Sequence, residues 1–141
     1  MRAFRIVYAV LAVNFLIPTA VYGLAPDVAM AQFNQLNHVF GGAELPAEVS
    51  VFWRVLGVAN VGTLGFCCAL IWWDLRRWYP VVVPLFFLKG FDALNWGIAW
   101  ASYREPAYGV ATLLDFVTMA AIWYFPMRAR RELSQGELPP G

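Results

Sequence analysis

The sequence predicts an all-α fold, a four-helix transmembrane bundle with a short extracytoplasmic amphipathic helix between the first two spans. Three observations predict it. The chain is 61% hydrophobic and only 13% charged, against about 45–50% apolar and about 25% charged in soluble domains, and its mean hydropathy is +0.59. A single fold of 141 residues cannot hide so much apolar surface from water, so lipid must cover it. The apolar residues fall into four runs, each close to the roughly 20 residues that a helix needs to cross a bilayer. The basic residues, finally, segregate to one side of a four-span arrangement.

The first run, 6–24, follows Arg2 and Arg5. A basic start, an apolar run and Gly23-Leu24-Ala25 together resemble a secretory signal. The run is nevertheless of transmembrane length, and Pro26 would follow the cut, so it is read as the first span. Asn14 is its one strongly polar residue, and Pro18 marks the place for a kink. Residues 27–40 form the amphipathic helix, with Pro26-Asp27 as its start and Gly41-Gly42 as its stop. Ala29, Phe33, Leu36 and Phe40 share one stripe, while Gln32, Asn34, Gln35 and His38 cover the rest. Such a helix lies on the membrane surface or caps a bundle. The remaining spans are 51–73, 80–101 and 108–125, within a single membrane domain of residues 1–126. Pro126 is expected to end the last span, which leaves 127–141 as a polar cytoplasmic tail.

Orientation follows from lysine and arginine. Arg2, Arg5, Arg76, Arg77, Arg128, Arg130 and Arg131 fall on one side, and only Arg104 lies in a connector on the other. The positive-inside rule then places both termini in the cytoplasm, with a bacterial inner membrane as the setting. The aromatics agree: Trp72, Trp73, Trp78 and Tyr79 belt one interface, and Trp100, Tyr103 and Tyr108 the other. Small residues at Gly62 and Gly65, and at Ala93, Gly97 and Ala101, signal close helix packing.

The candidate site is polar residues inside the apolar spans. Arg54, Lys89, Asp92 and Asp115 carry two charges of each sign, with Asn60 nearby in depth and Asn95 at i+6 from Lys89. Lys89, Asp92 and Asn95 thus fall within about 120° of one helix face. At about 1.5 Å of rise per residue, Arg54 lies about 5 Å below the outer surface, Asp115 about 10 Å, Asp92 about 13 Å and Lys89 about 18 Å. Lys89 can therefore meet Asp115 across helices or Asp92 at i,i+3, and Arg54 can meet Asp92. Intramembrane charge is costly and marks either a polar network that fixes helix packing or an ion or ligand path.

Other chemistry is thin. Cys67 and Cys68 are adjacent, a poor geometry for a disulfide, and read as small apolar side chains. His38, the one histidine, has no second ligand for a metal or haem and reads as solvated. The net charge of +1 gives no footprint for nucleic acid. H-E-x-x-H, P-loop, G-x-G-x-x-G and G-x-S-x-G patterns are missing, which argues against an enzyme, and no cofactor or metal is expected. The expectation is a non-catalytic accessory subunit or a binder of lipid or another small hydrophobic ligand. Its partners would be membrane lipids, other membrane subunits or a second copy. The alternative is a proton- or ion-coupled transporter or channel that uses the Lys/Asp network, and a lipid-acting enzyme comes last.

Overall fold

The computed structural model describes residues 1–45 and 51–135, with side chains for 1–45 and 55–134. The described residues are helical, with no strand. The order is α1 (Arg2–Leu24), α2 (Pro26–Val39), α3 (Val51–Trp73), the single turn α4 (Leu75–Trp78), a 3₁₀ turn (Tyr79–Val81), α5 (Val82–Tyr103) and α6 (Pro106–Gln135). Four of the helical stretches are long and apolar enough to cross a membrane.

The junctions follow from local chemistry. Ala25 leaves the helical region (φ −141°, ψ 64°), and Pro26 opens α2, where its missing N–H costs nothing and its fixed φ suits a first turn. The Asp74 carboxylate caps α4 by accepting the Arg77 N–H at 3.1 Å. Such a cap satisfies a donor that the helix itself cannot. Arg104 ends α5 in the left-handed region (φ 61°) and returns its N–H to the Trp100 carbonyl. A non-glycine residue there costs about 1–2 kcal/mol.

Packing is tightest within two helix pairs, α1 with α3 and α5 with α6. In the first pair, a Cβ at Gly65 would sit 2.8 Å from Leu16 Cγ and 3.2 Å from the Leu16 backbone nitrogen. Only glycine admits that approach, and in lipid such dispersion contact is what holds helices together. The pairs then join through one apolar cluster at the end of the bundle that carries both chain ends. Phe4, Tyr8, Leu11 and Phe15 of α1 meet Leu64, Cys68 and Ile71 of α3, Leu85 of α5, and Ile122 and Ala129 of α6. Both cysteines are free thiols, Cys68 inside this cluster.

Several helix ends differ from the expected span limits. α1 begins at Arg2 rather than at residue 6, and α5 begins at Val82, after the 3₁₀ turn that takes up Pro80. The larger correction is α6, which does not end at Pro126 but runs through it to Gln135. Proline breaks a helix partly because the carbonyl four residues back loses its donor. Here that carbonyl is Ile122, and the buried Tyr8 hydroxyl donates to it at 2.8 Å. A side chain of α1 thus supplies the bond that Pro126 withholds, and the helix continues.

Candidate functional site

The buried charge site is built on the α5–α6 pair. Between these antiparallel helices a Cβ at Gly90 would lie 3.2 Å from Met119 Sδ and one at Gly97 3.7 Å from Thr112, while Ala93 is fully buried. These small residues draw α6 close on either side of Asp92 and Asp115, just along α5 from Lys89. The Lys89 ammonium donates to Asp115 Oδ1 at 2.7 Å and lies 3.1 Å from Asp92 Oδ2, one turn along its own helix. Its side chain is 8% exposed, Asp115 15% and Asp92 24%. On the α1 side the ammonium stands 5.2 Å from the centre of the Phe15 ring, where the electron-rich face attracts a cation. Lys89 thus ties α5 to α6 by charge and faces α1 through a ring.

The described side chains of this cluster hold two carboxylates against one ammonium. Taking ions out of water is repaid only when each finds a partner, and one formal negative charge is left over. Arg54, read in the sequence as able to reach Asp92, has a side chain outside the described residues.

The two amides do not join the cluster. Asn95 is exposed and donates from Nδ2 to the Phe91 carbonyl of its own helix at 2.8 Å. Asn60 is half-buried on α3 and has no hydrogen-bond partner among the described residues. Asn14, placed earlier among the polar residues of α1, is exposed on the outward side of that helix.

A second polar site, missed in the sequence, lies at the other end of the bundle. Asn37 is fully buried. Its Nδ2 donates to the Ala43 carbonyl at 2.6 Å and to Glu105 Oε2 at 2.7 Å, and its Oδ1 accepts the Ala107 N–H at 3.0 Å. One amide therefore fastens α2 and its trailing turn to the α5–α6 connector. At i+4 from Phe33 and i+8 from Ala29 it lies beside the apolar stripe in a helical projection, the one sequence signal that could have found it. Phe40, by contrast, was expected on the buried stripe and is 57% exposed.

Beside it, Asp27, Asn34, His38 and Glu44 line an open cleft of about 930 Å³. A smaller cleft of about 400 Å³ lies at the opposite end, lined by Arg76, Tyr79, Arg130 and Ser134. Neither is lined by Lys89, Asp92 or Asp115. Among the described residues no group of three His, Cys, Asp or Glu side chains is placed to hold a metal ion.

Fold and site together define the class: an integral membrane protein, a helical bundle with four helices able to span a membrane and an ion cluster inside it. No protein-family model, no curated protein and no solved structure matches the chain.

Proposed function

We propose that this is a non-catalytic protein of a bacterial inner membrane, with both termini cytoplasmic. It serves as an accessory subunit or as a binder of lipid or another small hydrophobic ligand. The observation that carries the reading is Asp92, the cluster member with the larger exposure and the longer reach to Lys89. The second carboxylate of an ion triad, left partly open toward the surroundings of α5, suits a cation brought by the bound partner. That cation is an arginine or lysine of another subunit, or the amine of a lipid headgroup. The two clefts lie away from the charges, which favours binding at the helix surface over chemistry in a pocket.

Gentle extraction from the native membrane with lipids retained, followed by mass-spectrometric inventory, tests this. Wild type should carry a polypeptide or an amine-headed lipid in stable stoichiometry, and Asp92→Asn should lose it. A wild type that emerges without either would mean that Asp92 is neutralised within the chain, and the reading fails.

Two carboxylates held against one ammonium among the described side chains favour a second reading, proton- or ion-coupled transport. A carboxylate inside a membrane that shares its ammonium with another can take up a proton or a small cation, the kind of proton or ion path that intramembrane acids mark. Proteoliposomes should then show a proton or cation flux that Asp92→Asn and Asp115→Asn each abolish. Equal flux in wild type and both variants would remove this reading.

A further inference from the structure

α1 has two sides that differ in a way lipid alone does not explain. Tyr8, Leu11, Ala12 and Phe15 face the core. The opposite side exposes Ile6, Val10, Val13 and Ile17, and Asn14 among them. Asn14 is ten residues from the end of α1 at Leu24, about 15 Å at 1.5 Å per residue, which places it near the middle of the bilayer. It has no hydrogen-bond partner among the described residues. Its own carbonyl is also short of a donor, because the residue four positions on is Pro18, which has no N–H. One level of one helix thus presents an amide donor, an amide acceptor and a freed carbonyl to hydrocarbon, where nothing can bond them.

Asn95, the other exposed amide on the described membrane-spanning helices, bonds its own helix at the Phe91 carbonyl. The flanking surfaces differ too. The outward faces of α5 and α6 carry Phe87, Phe91, Phe116 and Trp123, shapes that suit lipid chains. The α1 stripe is mostly β-branched and carries no aromatic ring. Valine and isoleucine are already restricted at χ1, so packing them against another helix costs little rotamer freedom.

We propose that α1 is the interface of a homodimer, in which the Asn14 amides of two copies hydrogen-bond to each other across a seam of Val10, Val13 and Ile17. The occupant is a second copy for a geometric reason. All copies insert with one orientation, so two α1 helices related by a twofold along the membrane normal run parallel and present Asn14 to Asn14 at equal depth. An amide is both donor and acceptor, so the pair is self-complementary, as a lone asparagine is in a coiled-coil seam. The freed Asn14 carbonyl supplies a further acceptor at the same level.

The experiment is energy transfer between donor- and acceptor-labelled copies of the full-length protein, fused at the C-terminal end and reconstituted in phospholipid vesicles over a range of dilutions. Wild type should follow a monomer–dimer equilibrium. Asn14→Leu should lower the association constant tenfold or more, Asn14→Gln should retain most of it, and Asn95→Leu should leave it unchanged. Leucine at a lipid-facing position does not threaten folding, and an unchanged melting curve of Asn14→Leu verifies that. Transfer no greater than random proximity in wild type overturns the proposal. So does a dimer indifferent to Asn14→Leu, or association that requires a different polypeptide.

Discussion

Pro126 in α6 and Pro18 in α1 pose the same problem at two places and receive different answers. Each lies inside a continuous helix, and each removes the donor that the carbonyl four residues back would use. At Pro126 that carbonyl, Ile122, is inside the apolar cluster and takes the Tyr8 hydroxyl. At Pro18 it is Asn14, on the outer face, and no side chain among the described residues reaches it. The difference shows how a small bundle in lipid distributes its polar obligations. At Ile122 and Lys89 they are met by neighbouring helices of the same chain, although the buried Trp78 Nε1 finds no partner among the described residues. On the proposal above, the one left outside at Asn14 is a reason to associate.

The largest effect expected on the inner side is at Lys89. Lys89→Met strands two carboxylates beside an apolar cluster, and breaking a buried ion pair in this way costs about 3–5 kcal/mol. Unfolding in lipid bicelles should register the loss. Lys89→Met combined with Asp115→Asn should recover a substantial part of it, since the stranded charge rather than the missing contact carries most of the cost. A double variant as unstable as the single would show that the ammonium matters for packing alone.

A smaller effect tests the Pro126 side of the comparison directly. Tyr8→Phe leaves the Ile122 carbonyl buried without a donor, a loss of about 1–3 kcal/mol. Pro126→Ala restores an intrahelical N–H to the same carbonyl, so Tyr8→Phe with Pro126→Ala should be more stable than Tyr8→Phe alone. Strictly additive losses in this cycle would mean that the hydroxyl and the proline are not coupled.

These cases also show what could be read in the sequence. The four spans were legible because apolar run length and charged connectors are local properties. The Lys89–Asp115 pair was legible because a short connector makes α5 and α6 antiparallel neighbours, and depth then matches the two residues. The continuation of α6 was not, since the rule that proline ends a helix assumes no outside donor, and Tyr8 lies 114 residues away in sequence. Asn37 was missed for a related reason: its place beside the apolar stripe does not name its partners, and Glu105 and Ala107 lie about 70 residues on. Asn60 was grouped with the charges on depth, and Asn95 because spacings of i+3 and i+6 put Asp92 and Asn95 within about 120° of Lys89 on one helix face. Depth does not fix the face of a helix, and a 120° sector is wide enough to run from its buried side to its exposed side. Lys89 is buried, Asp92 half-buried and Asn95 exposed, while Asn60 is half-buried away from any partner among the described residues.

The smallest expected effect lies at Pro18. Pro18→Ala gives the Asn14 carbonyl an intrahelical donor, a bond worth about 0.5–1.5 kcal/mol. The same change frees the unfolded chain, which offsets about 0.4–1 kcal/mol. The net change in the stability of the monomer should be a few tenths of a kcal/mol, whereas the exchange protection of the amide at position 18 should become that of its helical neighbours. Pro126→Ala should bring no such gain, because Tyr8 already serves Ile122. If Asn14 acts in the seam through its side chain, association should weaken far less in Pro18→Ala than in Asn14→Leu. If Pro18→Ala weakens it equally, the carbonyl rather than the amide is the group that the second copy reads.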